Sequence, residues 1–146
     1  MHKILQELRA QMESSEDKCL AAGESGELLF SSQKQGIAPL LDLYQQYPGA
    51  APYICDRVFG KAAVFVAALC GAREIFSFVA SRPAIDLAAQ LGLVLHCGRE
   101  VPIITNRTGS GQCPIENSVM EVTTPEQAIP AIRARLAELA DGSYKI

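Results

Sequence analysis

Cys113-Pro114-Ile115-Glu116 sets a thiol and a carboxylate three residues apart, after the polar, glycine-containing stretch from Thr105 to Cys113. A cysteine that ends such a loop is expected to be accessible. A cation beside it, Arg107 or Lys61, would favour the thiolate, which is the nucleophilic form. Glu116 would then act as a base or orient a partner. The chemistry would be acyl or persulfide transfer, or redox sensing. Against this stands a plain loop cysteine packed under the turn, with Glu116 as a solvated charge. No histidine is placed to activate the thiol, which favours the plainer reading.

A second set of residues points to anion binding. Gly60-Lys61 and Ser81-Arg82 stand where two helices are expected to begin. Free N–H groups and the helix dipole favour an anion at such a place. Lys61 in a first turn opposes that dipole unless an anion or Asp56 offsets it. The expected ligand-binding set is Asp56, Gly60, Lys61, Ser81, Asn106 and Arg107, taking a phosphate or carboxylate. The competing assignment lets Lys61 reach solvent or pair with Asp56, and leaves Ser81 as a simple cap. His96-Cys97 does not assemble a four-ligand zinc site with Cys113, and a hydrogen-bonded histidine is the expectation there.

The chain has five cysteines, an odd number, with no two in a CxxC spacing. That argues against a disulfide framework and against a zinc knuckle, so no metal and no cofactor is expected. Net charge is −3, and residues 1–27 carry that excess while the remainder balances. With no basic stripe to meet a phosphate backbone, nucleic acid is not an expected partner. The apolar run Ala62 to Cys70 is about half the ~20 residues of a membrane helix, so no membrane partner is expected either. The N-terminus lacks a signal-peptide pattern, which makes the cytoplasm the expected location.

These side chains need elements to position them. A composition 49% apolar and 20% charged suits a globule, and 146 residues suit one domain. The spacing of Ile4, Leu5, Leu8 and Met12 predicts a first helix. Cys19–Ala22 and Glu27–Ser31, around Gly23 and Gly26, predict a hairpin. A helix over Gly36 to Tyr47, a strand over Tyr53 to Phe59 and an apolar helix over Gly60 to Gly71 follow. Glu74 to Ala80 is the next strand, then a helix capped by Ser81 and stopped by Gly92. Two short strands are expected at Leu93–Cys97 and Val101–Thr105 with a turn at Gly98, and an edge strand at Val119–Val122. Thr124-Pro125-Glu126-Gln127 reads as a capping box before a last helix, which Pro130 should kink or delay. Strands alternating with helices imply a partly parallel sheet in a three-layer α/β/α sandwich.

That order, with helices beginning at Gly60-Lys61 and Ser81, resembles the cytidine-deaminase-like fold. The segments DRVFGKAAVFVAALCGA, FVASRPAIDLAAQLGL and IITNRTGSGQCPIE are similar to a bacterial family known as domain of unknown function 1893. The resemblance covers roughly residues 17–139, between an N-terminal helix in 1–16 and a C-terminal tail at 140–146. It implies a fold and no activity. Deaminases of the wider fold hold zinc with an H-x-E or C-x-E motif at one helix start and P-C-x-x-C at the next. Here those starts read Gly60-Lys61-Ala62-Ala63 and Ser81-Arg82-Pro83-Ala84, with neither ligand set nor proton shuttle. Zinc-dependent deamination is therefore not expected. The primary expectation is a deaminase-like domain without zinc that binds a small anionic or nucleotide-like ligand. The alternatives are a metal-independent thiol enzyme or sensor using Cys113, and an interaction module, a homodimer, with a vestigial pocket.

Overall fold

A computed structural model describes residues 1–144. Of the expected C-terminal tail, residues 145–146 lie outside the described residues. Five strands form one mixed sheet: β1 (Cys19–Ala22), β2 (Leu28–Ser32), β3 (Tyr53–Phe59), β4 (Glu74–Ser81) and β5 (Val94–Val101), in the order β2-β1-β3-β4-β5. β1 runs antiparallel to both β2 and β3, whereas β3, β4 and β5 are parallel. The antiparallel part is thus the expected hairpin, turned at Gly26 with φ +88°.

Helices cover both faces. α1 (Lys3–Glu13) lies on one face and buries Leu5, Leu8 and Met12 against Leu20, Cys55 and Phe76. The other face carries α2 (Ala38–Gln46), α3 (Lys61–Leu69) and α4 (Arg82–Leu91), with α6 (Pro125–Asp141) packed on α3. α3 touches α2, α4 and α6, which explains its apolar circumference. The result is a three-layer α/β fold with a larger and a smaller core.

Local punctuation follows physical expectation at the parallel crossovers. Ser81 caps α4, its hydroxyl accepting the Ala84 N–H at 3.2 Å, and Gly92 ends that helix with φ +75°. Three expectations need correction, all late in the chain. Gly98 is not a turn: β5 runs straight through it as a single strand, and the segment after Val101 is loop. A Cβ at Gly98 would stand 2.9 Å from the Phe78 carbonyl oxygen, so the glycine permits a close strand approach. Val119–Val122 forms turns rather than a strand, behind a short helix α5 (Pro114–Ser118). Thr124 precedes α6 without a side-chain cap bond, and Pro130 sits inside that helix without delaying its start.

Candidate functional site

A cavity of about 400 Å³ opens where β3 ends and α3 begins. Its walls come from Lys18 before β1, from Gly36, Ile37 and Leu40 around the start of α2, from Ala62 and Ala63 of α3, and from Ile104, Cys113, Ile115 and Glu116 of the late loop and α5. Ligands of open α/β sheets bind beyond the carboxyl ends of parallel strands, and this cavity lies at such an end.

Asp56 is placed there by strand alternation. In β3, Ile54 faces the larger core and Cys55 the smaller, so Asp56 points toward α3. It pairs with Cys19 on β1 and Ser77 on β4, deep within the sheet, and only 6% of its surface is exposed. Oδ1 accepts the N–H groups of Arg57 at 2.6 Å and Val58 at 3.3 Å. Among the described residues no backbone N–H reaches Oδ2. Asp56 also contributes to the lining of the cavity. Burial pushes the Asp56 carboxyl up to about 7, although the two amides, the Cys19 thiol and the Arg57 charge oppose the shift. Burial, and next the Asp56 charge, raise the Cys19 thiol well above the ordinary thiol range.

Glu116 is the second inward carboxylate. Its Oε1 accepts the Lys61 N–H at 2.7 Å and its Oε2 the Ala62 N–H at 2.8 Å. A side chain 54 residues away in sequence from Ala62 therefore caps α3. Gly60 makes room for it, because a Cβ at Gly60 would fall inside the Glu116 carboxylate. Burial raises the Glu116 pKa, countered by the two amides and by the Lys61 charge.

The cavity thus gathers Asp56, Gly60, Cys113 and Glu116 from the expected site residues. The other four stand elsewhere. Lys61 sends Nζ to the Met120 carbonyl at 3.1 Å and lines a separate depression of about 260 Å³ with Asp86 and Gln90. Ser81 is buried and spent on its cap. Asn106 closes its own loop, its Oδ1 accepting from Ser110 N–H and Thr108 Oγ1. Arg107 is exposed on that loop.

A family model described as a domain of unknown function (DUF1893) matches residues 7–136. The chain belongs to the DUF1893 family. A crystal structure of a DUF1893 family protein (TM1506) from Thermotoga maritima shares the fold, with a TM-score of 0.80 and 24% identity over 94% of this chain and 92% of that one. No curated protein matches this sequence. Among the described residues of this DUF1893 member, no helix is long and apolar enough to cross a membrane.

Two features of the cavity region in this DUF1893 chain escape sequence reasoning. The first is Glu116 as the cap of α3, since no local spacing links it to Lys61. The second is the Cys19–Asp56 neighbourhood, which depends on the antiparallel register of β1 against β3. An acidic residue at the fourth place of the otherwise apolar run Tyr53-Ile54-Cys55 was the available signal.

Proposed function

We propose that this DUF1893 chain is a small-molecule-binding domain of deaminase-like fold, whose ligand occupies the cavity between β3, α2, α3 and α5. The carrying observation is the conjunction of an apolar-walled cavity with a buried carboxyl, that of Asp56, in its lining. A proton held near neutral pH lets Asp56 either donate or accept a hydrogen bond to a ligand.

The zinc of deaminases does not fit these residues. Lys61 and Arg82 open the two helices, and the Glu116 carboxylate is committed to the α3 amides. Among the described residues, no three His, Cys, Asp or Glu side chains gather around one point. No step through a metal is assigned. An anion at the start of α3 would compete with Glu116 for the same two N–H groups, so the cavity rather than the helix end is the ligand's place.

Cys113 supplies a reporter, because it lines the cavity and is half-buried. A thermal-shift screen with nucleosides, nucleotides, amines and carboxylates should find compounds that raise the melting temperature. At a hundredfold excess over the dissociation constant the gain is ~2.7 kcal/mol. Those compounds should also slow alkylation of Cys113, mapped by mass spectrometry, while leaving Cys97 unchanged. Stabilisers that leave Cys113 labelling untouched would place binding outside this cavity.

A further inference from the structure

We propose that the cavity selects a small planar organic cation or a neutral ring bearing paired N–H donors, and rejects anions of the same shape. The inference rests on the cavity-binding assignment above and adds the chemical class of the ligand. Hydrogen-bond polarity carries it. The Asp56 and Glu116 carboxyls both line the space and present acceptor oxygens. The natural donors at that end of the molecule, the Lys61 and Ala62 amides, are already consumed by Glu116.

The nearby cations are directed away. Arg57 contributes to the wall, but its guanidinium crosses to the α1 side. There Nε donates to the Asp17 carbonyl at 2.8 Å and Nη2 to the Met12 and Ser15 carbonyls at 3.0 Å. Lys61 Nζ leaves for Met120. Lys18, just before β1, is the remaining basic residue in the lining, one cation against the two carboxyls. The groups that bear on Asp56 are Cys19 on β1 and the Arg57 charge beside it on β3, and Lys18 and Glu116 are the other charged residues of the lining. An acceptor-rich wall in a low-dielectric site favours a cation and penalises an anion. Apolar surfaces from Ile37, Leu40, Ala63 and Ile115 suit the faces of a flat ring. A bound metal ion is a poorer match, since the two carboxylates lack a third ligand among the described residues.

Three probes of one shape separate the outcomes: benzamidine as cation, benzamide as neutral donor and benzoate as anion. Binding would be followed by backbone amide shifts of Val58, Gly60, Ala62 and Ala63 in the full chain. Ligands of this size bind at roughly millimolar dissociation constants. Benzamidine should move those amides, and benzoate should bind at least about tenfold more weakly, the effect of a 1.4 kcal/mol difference. Benzamidine affinity should rise about tenfold from pH 6 to pH 8, as a carboxyl titrating at about 7 becomes ionised. Asp56→Asn should hold affinity at its pH 6 level throughout. Glu116→Gln should weaken benzamidine binding several-fold while keeping the pH dependence, which tests the site should Asp56→Asn fail to fold. Benzoate binding as tightly as benzamidine at the same amides would overturn the polarity and leave the cavity assignment standing. Silence of those amides toward all three probes would overturn both.

Discussion

At the scale of single residues, the two inward carboxyls control different properties. Asp56 has an ordinary pKa of 3.8 and a folded one of about 7. The folded chain therefore holds this proton more tightly than the unfolded chain does. The resulting stabilisation is complete below the ordinary value and is lost as pH rises through about 7. Asp56→Asn should remove that slope and melt higher than wild type at pH 8, with the gap closing toward pH 4; differential scanning calorimetry across pH reads it. Glu116 acts through hydrogen bonds. Glu116→Ala should cost ~1–3 kcal/mol in urea denaturation, because two α3 amides lose a charged acceptor. Gly60→Ala should give a loss of similar size by expelling that carboxylate. A matching denaturation midpoint for Gly60→Ala and wild type would mean that Glu116 caps nothing. Asp56 and Glu116 were both visible in the sequence as chemically notable residues. Their company was not, since it depends on strand register and on a contact spanning 54 residues.

Among elements, legibility followed the source of each signal. β4 and α4 were readable because alternation, an N-cap serine and a C-terminal glycine all act within a few residues. β5 was misread because glycine signals a turn and a tight strand approach equally well, and only β4 decides between them. Gly98→Ala should accordingly destabilise by ~1–3 kcal/mol, the usual cost of overpacking, rather than stiffen a turn harmlessly. α1 depends on a latch that periodicity does not reveal. Its Met12 carbonyl and the following Asp17 and Ser15 carbonyls all accept from Arg57. Arg57→Ala should lose ~1.5–3 kcal/mol and speed hydrogen exchange selectively in residues 3–13. Uniform loss of protection across the sheet would instead assign Arg57 to global stability.

For the whole molecule, the sheet has unequal cover. Four helices guard one face, and α1 guards the other above Leu20, Cys55 and Phe76. Deleting residues 1–16 should expose that apolar surface, producing dye binding and aggregation visible by size-exclusion chromatography. The layered architecture was legible because alternating strands and helices have few ways to pack. The cavity was not, because its walls come from segments between residue 18 and residue 116. The Glu116 clasp on α3 also sets an order of events at the ribosome. All five strands have been synthesised by Val101, yet the chain must lengthen by another fifteen residues before α3 receives its cap. α6, which covers α3, comes later still. A nascent chain stalled near residue 110 would carry every strand and an unfinished central helix, so the cavity closes only after the sheet is complete.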